Sequence, residues 1–284
     1  MYNEKMKGAV RMMHYQNLNG VSVETIYATF LDAFSDYALP MKPSLDAFQK
    51  MLVGKGFHAD ISVGAFCGTD LVGFILNAER ENNFYNLGTG VKVAFRAQKI
   101  ASKMLDASIR TLKERGAAAY VLEVLQENRK AFALYEQKGF QVARRFLCFR
   151  LDAPQVQPQL STHVTTEAVD QVANFETTLE FPPSWQNNQH AILALRGDFQ
   201  CFAYRKGEEV LGYAVINPTS QSLVQMGAQT KKAGAALLAH ILALFAFETL
   251  STINVDARNE SLIQLLTEVG FVRTFEQYEM LFNP

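Results

Sequence analysis

The sequence lacks an excess of charge of either sign: 27 Lys and Arg stand against 28 Asp and Glu, a formal net of -1. With no block of like charge to follow a phosphate backbone, nothing electrostatic supports nucleic acid as a partner. Cysteine is scarce and odd in number (Cys67, Cys148, Cys201), with no C-x-x-C spacing. A disulfide framework is therefore not expected, and a reducing, cytoplasmic setting fits. The N-terminal stretch MYNEKMKGAVRMMHYQ mixes charge with polar residues where a signal peptide needs an unbroken apolar core. The longest uncharged apolar run, Ala233 to Phe247, spans about 15 residues where a bilayer crossing needs about 20. It also carries His240, so it reads as a helix buried inside a domain, and no membrane partner is expected. The five histidines show no H-E-x-x-H or related spacing, so no metal is expected, and no G-x-S-x-G context marks a hydrolase nucleophile.

What is present is an ordinary folded composition, 49% apolar and 19% charged, over 284 residues, a length that suits two domains. The segment Leu151 to Leu160, LDAPQVQPQL, has the Pro and Gln content of an exposed connector. We place the domains at 1–152 and 160–284. The two sides repeat one another. Ile61 to Leu76 reads as two strands about a turn at Gly68-Thr69-Asp70, and Cys201 to Ile216 repeats it about Lys206 to Glu209. Further on, YVLEVLQENRKAFALYEQKGF and TINVDARNESLIQLLTEVGF share a strand, an Asn, a helix and Gly-Phe. Asn128, Gly139 and Phe140 pair with Asn259, Gly270 and Phe271 at one constant offset, which a duplication explains. Helices are expected at Val23 to Tyr37, Ser44 to Val53, Gln98 to Arg115 and Arg129 to Gln137. The fold class is α+β, a mixed layer structure used twice.

One junction can carry chemistry on physical grounds. YNLGTGVKVAFRAQKIASKML, Tyr85 to Leu105, runs an extended segment into a helix through Phe95-Arg96-Ala97-Gln98-Lys99. A helix N-terminus with unpaired N–H groups is a natural cradle for a pyrophosphate. Arg96-x-x-Lys99-x-Ala101, followed by a strand, Asn128 and Tyr135, sharpens that reading.

These residues resemble the GCN5-related N-acetyltransferases, the GNAT superfamily, over nearly the whole chain as a tandem pair. Val91 to Ala101 follows the family's V-x-P-x-(Y/F)-R-(G)-x-G-x-(G/A) framework. The block Leu122, Val124, Asn128, Ala131, Leu134, Tyr135, Gly139 and Phe140 follows its L-x-V-x-x-x-N-x-x-A-x-x-L-Y-x-x-x-G-F pattern. The resemblance implies acetyl-CoA as co-substrate and an N-acetyltransferase acting by direct attack of a primary amine in a ternary complex. Pantetheine would add to a splayed strand by bonding to backbone near Val91 and Val93. Arg96, Ala97, Gln98, Lys99, Ile100 and Ala101 would form the pyrophosphate loop, and Asn128 would contact the pantetheine side. Tyr135 would be the general acid that protonates the leaving thiolate. Glu123 is similar in placement to the glutamate assigned as base in ribosomal-protein N-terminal acetyltransferases.

For Tyr135 the alternative is a half-buried helix tyrosine, and for Glu123 a solvated or ion-paired carboxylate. The pattern also departs from the family. Ala97 and Lys99 stand where it has glycines, and Val93 stands where it has proline. In the second half Lys231-x-x-Gly234-x-Ala236 keeps the central glycine while Leu266 replaces the tyrosine. The first half is therefore the expected catalytic one, and the other reading is a catalytically silent CoA-binding or interaction protein. The acceptor, a small-molecule or peptide amine, is expected near the first-half helices, the segment 34–43 and the last strands of that half. A homo-oligomer stays open.

Overall fold

The computed structural model describes residues 12–37, 41–152, 157–176, 179–245 and 247–284. They fall into two compact units. The first comprises Met1–Leu122, Ala133–Gln141 and Leu281–Pro284, and the second Glu123–Phe132 and Val142–Met280. Glu123, Asn128 and the stretch from Val142 to Leu151, placed with domain 1–152 in the sequence, lie in the second unit. Connector residues 153–156 fall outside the described residues.

In chain order the first repeat holds β1 (Met13–Asn17), α1 (Val23–Ala33), α2 (Leu45–Lys55), β2 (Val63–Cys67), β3 (Asp70–Arg80) and β4 (Asn83–Val91). It continues with α3 (Ile100–Glu114), β5 (Ala119–Leu125), α4 (Arg129–Gln137) and β6 (Gln141–Leu151). Local chemistry sets these bounds. Ser22 and Ser44 open α1 and α2 by accepting from the backbone N–H of Thr25 and Ala47, each at 3.2 Å. Gly56 closes α2 at φ 77°, a left-handed turn that a glycine makes without steric cost. The buried faces of these helices (Ile26, Phe30, Phe48, Leu52) meet Phe66, Leu71 and Phe74 of the sheet. The sheet of the first unit runs β1-β2-β3-β4-β5. Its neighbours are antiparallel except for the parallel pair β4 and β5.

The second repeat holds β7 (Val164–Glu167), α5 (Val172–Glu176), α6 (Gln189–Ala194), β8 (Gln200–Lys206), β9 (Glu209–Asn217) and β10 (Ser222–Ala228). Then come α7 (Lys231–Phe245), β11 (Leu250–Asp256), α8 (Glu260–Val269) and β12 (Val272–Phe282). In the second unit the strands run β12-β6-β11-β10-β9-β8-β7. β6, which follows α4 in the chain, pairs there with β11, Phe149 opposite Thr252. The uncharged run from Ala233 lies in α7, where Ala233, Leu237, Leu238 and Ile241 are buried in the core of this unit.

The repeat detected in the sequence is a repeat of register. Gly73 faces Val91 across β3 and β4, and Gly212 faces Ala228 across β9 and β10. Each pair of strands carries an extra residue before that point, Leu87 in β4 and Val224 in β10, which bends the strand at the same place. The repeated asparagines share a task as well. Asn128 Oδ1 accepts from the Ala131 N–H at 3.2 Å and Asn259 Oδ1 from the Leu262 N–H at 3.1 Å, capping α4 and α8.

Candidate active site

After the bulge at Leu87, β4 keeps its antiparallel bonds to β3 but loses its parallel neighbour: pairing with β5 covers Asn83 to Asn86 only. The Lys92 N–H donates to the Val72 carbonyl at 2.9 Å. By the alternation of a strand, the N–H groups of Val91 and Thr89 then point away from β3, along the edge that β5 has left. This is the splay expected of the strand, and its cause is the single inserted residue.

Beyond Val91 the chain makes a 3-10 turn, Val93–Phe95, and enters α3 at Ile100 with Lys99 as N-cap. Val93 brings an N–H that a proline would not have, and Asp32 Oδ1 accepts it at 2.9 Å. That amide is thus already engaged, which leaves Val91 as the backbone donor of the expected pair. Arg96 is engaged too. Its guanidinium grips Asp36 with two bonds of 2.7 and 2.8 Å, and it donates to the Ala33 carbonyl at 2.8 Å and to the Val91 carbonyl at 3.3 Å. The hydrogen bond to Asp36, against a smaller opposing effect of burial, raises the Arg96 pKa. An ion pair this exposed contributes about 0.2 to 1 kcal/mol. Its use is geometric, because it fastens the loop to the end of α1.

Ala97 and Lys99 sit at φ 62° and 59°, both in the left-handed region where the family has glycines. An L-residue costs roughly 1 to 2 kcal/mol there. The loop keeps the glycine backbone although it has lost the glycines. Left-handed residues followed by a helix N-terminus form the concave array of N–H groups that suits an anion. Lys99 has no side-chain capping bond to the helix and is exposed with Gln98. Ile100 is buried at 3% exposure and Ala101 is half-buried, so both offer backbone only.

Tyr135 projects from α4 into the first unit, 7% exposed, with its ring 5.7 Å from that of Phe140. Burial raises its phenol pKa, a hydrogen bond from Thr89 opposes the rise, and the Tyr37 hydroxyl adds to it. Thr89 belongs to the part of β4 that has lost its β5 neighbour. The structure therefore brings the freed strand edge and a buried phenol together at Thr89. Segment 34–43, expected near the acceptor, contains residues 38–40, which lie outside the described residues.

Glu123 has its own surroundings within the second unit. Its Oε2 accepts from Asn254 Nδ2 at 2.7 Å and from Gln186 Nε2. Asn254 Nδ2 also reaches Ser184 Oγ at 3.1 Å, and its Oδ1 accepts from Gln277 at 2.7 Å. Asn254 holds this position at φ 61°, where β11 breaks register with β6. Glu123 is thus a carboxylate held by two side-chain amides. No motif in the sequence singled out Gln186, Asn254 or Thr89. Asn86 and Thr89 do lie within the N-L-G-T-G stretch just before the loop.

The second unit repeats the splay without the rest. β10 pairs with β11 only at Ser222 and Ser251, leaving its end free. A cleft of about 420 Å³ opens there, lined by Met226, Ala228, Thr230, Lys231, Asn259 and Leu262 among others. Yet β10 ends at Ala228 and α7 begins at Lys231, so Gln229 and Thr230 replace the whole segment from Lys92 to Lys99. Thr230 caps its own helix, Oγ1 accepting from the Ala233 N–H at 3.2 Å. This corrects the sequence alignment of Gly234 with the central loop glycine. Gly234 lies inside α7, where its missing side chain makes room for Leu265. By the register of the strands, Met226 stands where Thr89 stands in the first repeat, and Leu266 stands for Tyr135.

Residues 24–140 match the model of the acetyltransferase (GNAT) family. Those residues form a GNAT acetyltransferase domain. The fold of the chain is that of GNAT proteins over nearly its full length. It is similar to the GCN5-related N-acetyltransferase from Sphaerobacter thermophilus, with a TM-score of 0.71 at 11% identity, covering 95% of each chain. It is also similar to a tandem GNAT protein from the clavulanic acid biosynthesis pathway, with a TM-score of 0.67 at 11% identity, covering 96% of this chain and 98% of that one. No curated protein matches the sequence. Among the described residues, no helix is long and apolar enough to cross a membrane. Among the same residues, no group of three His, Cys, Asp or Glu could hold a metal ion.

Proposed function

We propose that this chain is an acetyl-CoA-dependent N-acetyltransferase whose working site is built by the first repeat, with a primary amine as acceptor. The observation that carries the reading is the meeting of the freed β4 edge with Tyr135 through Thr89. That edge presents backbone donors where a pantetheine arm can add as a strand, and the Tyr135 phenol of α4 meets the same segment at Thr89. The residues present suit acetyl-CoA in the loop as well, since Ala97 and Lys99 hold the left-handed backbone that a diphosphate cradle requires.

Acetyl-CoA supplies an activated acetyl thioester. The chain's own residues do the rest. The loop from Ala97 to Ala101 binds the diphosphate through backbone N–H groups, with Lys99 adding a charge. The Val91 N–H fixes the arm in register with the strand. Tyr135, kept protonated by burial, donates its proton to the departing thiolate, while the amine forms the new bond directly and no acyl-enzyme is needed. Glu123 is the candidate for receiving the amine proton, a role tested by Glu123→Gln. Asn128, whose Oδ1 caps α4, contributes first to the placing of that helix.

The experiment is a titration of the protein with acetyl-CoA followed by CoA-thiol release in the presence of primary amines, for wild type and Tyr135→Phe. Binding with release that falls 100-fold or more in Tyr135→Phe supports the reading, within the range typical of general acid catalysis. Binding without release in either protein supports the silent CoA-binding alternative.

A further inference from the structure

Thr89, whose hydroxyl acts on the Tyr135 phenol, lies at the end of a buried network of polar side chains within the first unit, and the direction of that network is fixed from its far end. The Ile61 carbonyl can only accept, so Asn77 turns Nδ2 to it at 2.7 Å and leaves Oδ1 to accept the Tyr120 O–H at 2.7 Å. Asn77 Nδ2 also donates to Ser108 Oγ at 2.8 Å, and Ser108 in turn lies 3.1 Å from the Tyr120 oxygen. Tyr120 is fully buried, and with its proton committed to Asn77 its oxygen is an acceptor for Asn86. Asn86 must therefore present Nδ2, and the same nitrogen donates to Thr89 Oγ1 at 2.9 Å. The orientation is held at an energetic cost, because it leaves the buried Asn86 Oδ1 without a hydrogen-bond partner. Thr89 Oγ1 thus accepts from Asn86, and its own proton is left for Tyr135.

We propose that Thr89, oriented by Asn86, is a positioning residue that donates to the Tyr135 oxygen and so directs the Tyr135 proton outward, to the leaving group. The inference rests on Tyr135 being the proton donor proposed above. When the Tyr135 O–H bond breaks and the proton passes to the sulfur, the phenolate oxygen keeps the Thr89 hydroxyl as a donor, and the charge formed is met by a group already in place. Without the network, the phenol would be free to donate backward to Thr89 and would form its anion unaided. In the second repeat the pair is Met226 and Leu266, and no such network is possible.

The test compares Thr89→Val, Thr89→Ser, Tyr135→Phe and the double variant Thr89→Val/Tyr135→Phe by CoA-thiol release from acetyl-CoA, with n-butylamine as probe acceptor and with water alone. Thr89→Val is expected to lower kcat about 10-fold, leave KM for acetyl-CoA within about 2-fold, and move the alkaline limb of the pH profile upward. Thr89→Ser should restore all three, and Thr89→Val should add no loss in the Tyr135→Phe background. An equal loss from Thr89→Val in both backgrounds, or an unmoved pH limb, overturns the proposal. A Tyr135→Phe enzyme at full rate removes Tyr135 as the acid, and this proposal with it. A normal Thr89→Val beside a crippled Tyr135→Phe removes this proposal alone. Should the probes turn over too slowly to compare, NMR of the protein with labelled tyrosine Cζ decides, with the Tyr135 signal identified by its loss in Tyr135→Phe. A changed Tyr135 shift in Thr89→Val, restored in Thr89→Ser, supports the bond, and an unchanged shift contradicts it.

Discussion

The two repeats share a bulge, a splayed strand and an asparagine cap, and differ in almost everything a reaction would use. In the first, the strand hands over to α3 through Lys92 to Lys99, with two left-handed residues before the helix. In the second, Gln229 and Thr230 make the same connection and Thr230 closes the helix end with its own side chain. Thr89 and Tyr135 on one side become Met226 and Leu266 on the other. The opening between strands is thus a property of the fold, set by one inserted residue, and it persists without the chemistry. The loop and the hydroxyl pair are separate acquisitions or losses laid over it.

This contrast is sharpest in the effect of single substitutions. Tyr135→Phe should lower turnover 100-fold or more with little change in acetyl-CoA affinity, while Leu266→Ala should leave kcat within about 2-fold and act on stability instead. Calorimetric affinity alongside CoA release separates the two. The next effect concerns the cradle. Lys99→Glu replaces an ammonium by a carboxylate beside the helix N-terminus and should weaken acetyl-CoA binding by about 10-fold or more at low salt. Gly234→Ala obliges a Leu265 methyl to move and presses on Ala228, and should leave that affinity within about 2-fold. Equal effects at both positions would restore Gly234 to the phosphate loop.

Smaller effects test the backbone. Ala97→Gly relieves a left-handed strain of roughly 1 to 2 kcal/mol, part of which is offset by the freedom glycine adds to the unfolded chain. The expected net is a stabilisation of up to about 1 kcal/mol, read as a raised denaturant midpoint with unchanged m. Asn128→Ala removes a helix cap and should destabilise by about 1 kcal/mol. Asn259→Ala should do the same through α8. A much larger loss of acetyl-CoA affinity in Asn128→Ala than in Asn259→Ala would show a ligand contact beyond the cap.

The fold was largely legible because its signals are local. The hairpin about Gly68-Thr69-Asp70, the helix Arg129 to Gln137 and the buried run of α7 each announce themselves within their own residues. The splay was legible only through the family resemblance, and its physical cause, the bulge at Leu87, is a matter of strand pairing that no local pattern displays. Gly234 shows the opposite hazard. K-x-x-G-x-A matches the loop pattern by spacing, but the first turn of an amphipathic helix packed on Leu265 supplies the same spacing for a different reason. The neighbours of Glu123 come from Gln186 and Asn254, far along the chain, and the hydrogen-bond chain behind Tyr135 draws on residues from Ile61 to Tyr120. Neither has a sequence period to follow. The family pattern marked Ala97 and Lys99 as departures, whereas the structure shows the backbone conformation retained.

The most direct test of the central claim is the stoichiometry of acetyl-CoA binding by calorimetry on the full chain, repeated with Lys99→Glu and with Thr230→Val. The account predicts about one site per chain, weakened by Lys99→Glu and unaffected by Thr230→Val. Two equivalent sites, or a single site that fails in Thr230→Val and survives in Lys99→Glu, would contradict it.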